Sequence, residues 1–66
     1  MQFTLITGEK KESKPLKKNL TIKQLLNQIE TPLETVVIKR NGEIVIEEEI
    51  IQEGDVIEVI QIIYGG

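Results

Sequence analysis

The 66-residue sequence predicts an α+β fold: a mixed sheet of about five strands with one covering helix. Three observations predict it. A single stretch, residues 20–30, carries apolar side chains at helical spacing. Asn41-Gly42, the preferred pair for a two-residue type I′ turn, sits between two aliphatic runs. The first and last segments of the chain read as strands, and the last is the most hydrophobic.

Taken in order, residues 1–7 alternate, with Met1, Phe3 and Leu5 on one side and Gln2, Thr4 and Ile6 on the other. That is the pattern of a half-buried strand. Residues 8–13 read as a turn or loop punctuated by Gly8. Residues 14–19 read as a short second strand, placed at a sheet edge because Pro15 cannot donate to a ladder. Thr21 and Gln24 have capping-box spacing, and Leu20 and Leu25 take the two staple positions around it. Ile22, Leu25, Leu26 and Ile29 then form one apolar stripe. The helix is expected over residues 21–30, ending before Pro32. Residues 35–40 and 43–46 form the hairpin around Asn41-Gly42. An acidic loop follows, with a helical turn allowed near residues 48–52 and a turn at Glu53-Gly54. Residues 56–63 are the last strand.

This order of strands, with one helix after the second, suits a sheet whose last strand lies parallel to the first in the centre. A right-handed crossover makes the connection. Numbering strands along the chain, the expected order is 2-1-5-3-4, the β-grasp arrangement. Residues 1–64 form this domain, and residues 65–66 are expected to be a flexible Gly-Gly tail.

Composition narrows the function. There is no cysteine and no histidine. A thiolate metal site, a disulfide and the usual neutral-pH general base are therefore excluded. No catalytic residue and no metal ligand set is expected, and no phosphate-cradling glycine loop is present. Residues 1–33 carry six lysines and three glutamates, a balance of +3; residues 34–66 carry Lys39 and Arg40 against eight acids, a balance of -6. An acidic C-terminal half argues against nucleic acid and anionic membrane as partners. The run Glu47-Glu48-Glu49 lacks the spacing of a calcium loop and reads as an exposed charged loop. No long apolar run or cleavable leader is visible, so the expected location is cytoplasmic.

Strand parity assigns the two faces of the sheet. Phe3, Leu5, Val36, Ile38, Ile57 and Val59 should face the helix. Ile6, Val37, Ile60 and Ile62 should face out, ringed by Lys39 and Glu58. Contiguous exposed aliphatic side chains commonly mark a partner surface. Gln61 falls on the inward parity, which suggests that the chain leaves the sheet there. Beyond it come Tyr64, an aromatic wedge or a surface ring, and then Gly65 and Gly66. A diglycine packs nothing. It is idle, or it is useful because it is thin and ends in a carboxylate.

The segment EGDVIEVIQIIYGG resembles the C-terminal signature of the ThiS/MoaD family of ubiquitin-like sulfur carrier proteins. Gly54-Asp55 matches the turn into the final strand, and Gly65-Gly66 matches the terminal diglycine. LTIKQLLNQI is similar to the family's helix and NGEIV to its hairpin, so the resemblance covers nearly the whole chain. It implies a protein co-substrate rather than an enzyme. An adenylating enzyme of the ubiquitin-activating type would join the Gly66 carboxylate to AMP. ATP and Mg²⁺ would act through that enzyme, with no cofactor bound to the carrier itself. A sulfur donor would then give a thiocarboxylate that supplies a downstream synthase in thiamine, molybdopterin or tRNA biosynthesis. The free carrier is expected to be a monomer. Two alternatives stand beside it: a ubiquitin-like modifier joined to target lysines, and an interaction module whose tail is unused.

Overall fold

A computed structural model describes residues 1–31 and 35–62 of the chain. Strands β1 (Gln2–Thr7) and β2 (Lys10–Pro15) precede helix α1 (Ile22–Gln28), which is followed by β3 (Val36–Arg40), β4 (Glu43–Ile44) and β5 (Val56–Gln61). They form one five-stranded sheet of order β2-β1-β5-β3-β4. β5 runs parallel to β1 and antiparallel to β3, which makes the sheet mixed. This is the order the sequence predicts.

The second strand lies earlier than expected. Thr7 pairs with Lys10 and Gln2 with Pro15, so residues 8–9 alone make the turn. Gly8 adopts φ +61°, the conformation that a two-residue hairpin loop with glycine first requires. Residues 10–13 carry no alternation because nothing covers either side of them; Lys10 to Ser13 are all exposed. Pro15 closes this edge strand, where its missing N–H costs nothing.

The helix starts as predicted. Thr21 Oγ1 accepts from the Gln24 backbone N–H at 3.2 Å, and Gln24 Oε1 accepts from the Thr21 backbone N–H at 3.1 Å. Two further N–H groups of the first turn find carbonyls on the acidic loop: Ile22 donates to Glu49 at 3.0 Å and Lys23 to Glu47 at 2.9 Å. The loop thus serves the fold through its backbone, which satisfies donors a helix start leaves unpaired. The bridge between Thr21 and Ile50 adds to this, and the segment forms a turn at residues 47–48 instead of a helical turn.

Helix α1 ends at Gln28, earlier than residue 30. Glu30 takes φ +55°, its N–H donates to Asn27 and that of Thr31 donates to Leu26. These two bonds are the Schellman pattern, with a glutamate where glycine is usual. The reversal therefore occurs before Pro32 is reached.

The core lies between helix and sheet. Ile22, Leu25 and Leu26 meet Phe3, Leu5, Val36, Ile38, Ile57 and Val59, with Leu20 and Ile51 closing one end. The six strand side chains expected to face the helix, Phe3, Leu5, Val36, Ile38, Ile57 and Val59, are all buried. Burial of each such side chain contributes roughly 1.5–3 kcal/mol, the main stabilising term in a chain this small.

Two turns are fastened to each other at the β3–β4 end. Asp55 accepts from the Gln52 backbone N–H at 2.8 Å and from Asn41 Nδ2 at 3.2 Å. Asn41 Oδ1 accepts from the Val56 N–H at 2.9 Å. Arg40 approaches Asp55 at 3.9 Å and Glu49 at 3.8 Å, and its Nη1 donates to the Ile50 carbonyl at 3.2 Å. Asp55 is the only buried charged side chain among the described residues.

Candidate functional site: the open sheet face and the end of β5

The helix covers one face of the sheet, so alternate residues of the same strands look out from the other. Ile6 on β1 stands opposite Glu58 on β5, and Glu58 stands opposite Lys39 on β3. Val37 stands opposite Ile60. Ile6, Val37 and Ile60 are half-buried by their neighbours, and Ile62 is exposed. The structure therefore brings Ile6, Val37, Ile60 and Ile62 to one face, as parity predicts. Tyr64, Gly65 and Gly66 lie outside the described residues.

Three further aliphatic residues belong to this face. Lys39 pairs with Ile44, which puts Ile44 on the open side at 72% exposure. Ile46, of the same parity, is 64% exposed. Together with Val37 they line a shallow groove along the β4 edge. Val56 on β5 has the outward parity of Glu58 and is also exposed. The signal for Ile44 and Ile46 was present in the sequence. A two-residue hairpin loop places Arg40 opposite Glu43, so the outward parity of Lys39 passes directly to Ile44. The strand is shorter than the expected residues 43–46; Val45, whose N–H still donates to the Ile38 carbonyl at 3.0 Å, packs against the core.

β5 loses one of its two neighbours before it ends. Its register with β1 stops at Val59, whereas β3 accompanies it to Gln61. Ile62 still donates to the Thr35 carbonyl at 2.8 Å. The chain thus remains in the sheet at Gln61, later than expected, and Gln61 is exposed although its parity is inward. Helix α1 has already ended on that side, at Gln28, so the helix does not cover it. A hollow lined by Thr7, Gly8, Glu30, Thr31, Ile60 and Gln61 lies at this end. β5 and Ile62 are thus held from one side by β3 at the edge of the open face.

No group of three or more His, Cys, Asp or Glu side chains gathers as a metal ligand set among the described residues. None of their helices is long and apolar enough to cross a membrane. Lys39 and Glu58 face each other across the centre of the aliphatic patch and give it a charged middle.

Comparison with known proteins gives the context. Solved structures that share the fold include the following three. The thiamine biosynthesis protein ThiS from Geobacter metallireducens superposes with a TM-score of 0.67 at 22% identity, over 96% of this chain and 99% of that one. A ubiquitin-like protein from the hyperthermophilic archaeon Caldiarchaeum subterraneum gives 0.67 at 14% identity, over 98% and 100%. A complex of subunits 1 and 2 of molybdopterin-converting factor from Helicobacter pylori supplies a third match, at 0.68 and 19% identity, covering 100% of both chains. No match was found among curated proteins. The model of the ThiS family runs over residues 3–66, from the first strand through Gly66, and the chain therefore belongs to the ThiS family.

Proposed function

We propose that the chain is a sulfur carrier of cofactor biosynthesis, a protein co-substrate and not a catalyst. The observation that carries this reading is the family match, which extends through Gly65 and Gly66. In the first step a carboxylate oxygen of Gly66 attacks the α-phosphorus of ATP on a separate adenylating enzyme, and pyrophosphate leaves. The carboxylate is a poor electrophile because its leaving group would be oxide; as an acyl-adenylate it has AMP as leaving group. A sulfur nucleophile then attacks the carbonyl carbon, AMP departs, and the terminus is a thiocarboxylate. A downstream synthase consumes that sulfur. Magnesium and ATP are the activating enzyme's, since this chain brings only the acid group and a surface.

The surface is the open sheet face. Ile6, Val37, Ile60 and Ile62, extended by Ile44 and Ile46, form an aliphatic patch that reaches the end of β5. Docking there places the terminus in a partner's cleft, with Tyr64 at its mouth. Gly65 and Gly66 suit a narrow channel, because neither presents a Cβ and both reach backbone angles closed to other residues. The test is direct. The protein is incubated with a ThiS-type adenylating enzyme, ATP and sulfide, and its intact mass is recorded. Exchange of one oxygen for sulfur is expected, and it should vanish when Gly66 is removed. Unchanged mass, or conjugates on target lysines in place of the thiocarboxylate, would overturn the reading.

A further inference from the structure

The Asn41-Gly42 turn is used by the fold, but the carrier chemistry makes no use of it. We propose that Asn41 is a latent self-modification site, whose side-chain amide is kept from reacting by the clamp that Asp55 and Val56 place on it. The inference is independent of the carrier reading.

The reaction needs only this chain and water. The main-chain nitrogen of Gly42 attacks Asn41 Cγ and forms a five-membered imide. The amide nitrogen leaves as ammonia, taking up the proton that Gly42 loses. Water then opens the imide at either carbonyl, leaving aspartate or an isoaspartyl link at position 41. A glycine after the asparagine favours the attack, because no side chain shields its nitrogen. Around Gly42 the space is open: a Cβ built there would meet nothing within 4 Å. Asn19 and Asn27 are followed by Leu20 and Gln28, so the same chain contains shielded controls.

The fold opposes this reaction at both side-chain polar atoms of Asn41 and at its backbone N–H. Its Oδ1 accepts from the Val56 N–H at 2.9 Å, its Nδ2 donates to Asp55 Oδ1 at 3.2 Å, and its backbone N–H donates to the Val56 carbonyl at 2.8 Å. The amide is thereby held towards β5. To react, it must leave both partners and swing its Cγ onto the Gly42 nitrogen. Asp55 is itself fixed, 8% exposed and bonded to the Gln52 N–H at 2.8 Å, so it cannot follow a moving amide.

The product would undo the latch. An aspartate at position 41 has no Nδ2 donor and sets a second carboxylate against Asp55. An isoaspartyl link lengthens the main chain inside a two-residue loop. The pairs Arg40–Glu43 and Lys39–Ile44 depend on that loop length. The change would therefore reach β4 and its exposed Ile44.

The experiment follows peptide masses over time at 37 °C and mildly alkaline pH, for the full chain native and unfolded in guanidinium. Asn41 should convert in the unfolded chain while Asn19 and Asn27 do not. In the native chain conversion should be slower by about tenfold or more, because paired sheet backbone opens far less often than frayed segments. Asp55→Asn should accelerate Asn41 severalfold in a chain that circular dichroism shows folded. Its new amide would confront Asn41 Nδ2 donor to donor, while its remaining oxygen keeps Gln52. Should this variant not fold, sub-denaturing guanidinium replaces it, and the wild-type rate should then track hydrogen exchange at the Val56 amide. Equal native and unfolded rates, an unaltered rate in folded Asp55→Asn, a rate indifferent to Val56 opening, or no preference for Asn41 would each overturn the proposal.

Discussion

The two faces of the sheet are built from the same strands and much the same residues, yet they do different things. On the covered face, Phe3, Leu5, Val36, Ile38, Ile57 and Val59 are each 8% exposed or less. On the open face, Ile6, Val37 and Ile60 are half-buried, Val56 and Ile62 are a little over a third exposed, and Ile44 and Ile46 stand largely in water. Covered aliphatic side chains stabilise the fold by leaving water. Exposed ones gain little of this, and a sheet face that only met solvent would be expected to carry polar residues at those positions. The open face therefore carries apolar surface that the fold itself leaves uncovered, which suits the docking role proposed for it.

The largest effect should come from breaking the covered face. Leu25→Ala removes a buried side chain at the middle of the helix stripe and should cost about 2–5 kcal/mol. A core in a domain of this size supplies roughly 3–5 kcal/mol of net stability, so this variant should be largely unfolded in a thermal melt at 37 °C. Next comes the start of the helix that makes the two faces different. Thr21→Ala loses the bond to the Gln24 N–H and should cost about 1 kcal/mol, read from the denaturant midpoint. The helix end should respond in the opposite direction. Glu30→Gly relieves a positive φ that strains a residue with a Cβ by about 1 kcal/mol. Part of that gain is offset by the freer unfolded chain, and a small rise in midpoint is expected.

The smallest stability effect should come from the open face, where the comparison is sharpest. Ile44→Ser with Ile46→Ser should alter stability by less than about 0.5 kcal/mol, as surface changes do. The same pair should weaken binding to the adenylating enzyme about tenfold, which is about 1.4 kcal/mol. A large loss of stability with unchanged affinity would reverse the roles assigned to the faces.

The covered face was legible because helix period and strand period agree on it. Ile22, Leu25 and Leu26 mark the stripe, and alternation in residues 1–7 and 56–61 marks what it meets. The hairpin was legible from Asn41-Gly42. Edge strand β2 was not, because residues 10–13 are all exposed and no burial imprints a pattern on them. Ile44 and Ile46 were missed for a related reason: on an edge strand of two residues only the register across the turn reveals the face. The clamp on Asn41 was illegible because it joins positions 41 and 55–56, whose closeness is created by the β3–β5 pairing alone.

The most direct measurement is amide chemical-shift mapping of the labelled protein titrated with a ThiS-type adenylating enzyme. The account predicts that Ile6, Val37, Ile44, Ile60 and Ile62 shift or broaden, while exposed helix positions Lys23 and Asn27 stay where they are. Perturbation centred on the helix, with the open face silent, would contradict it.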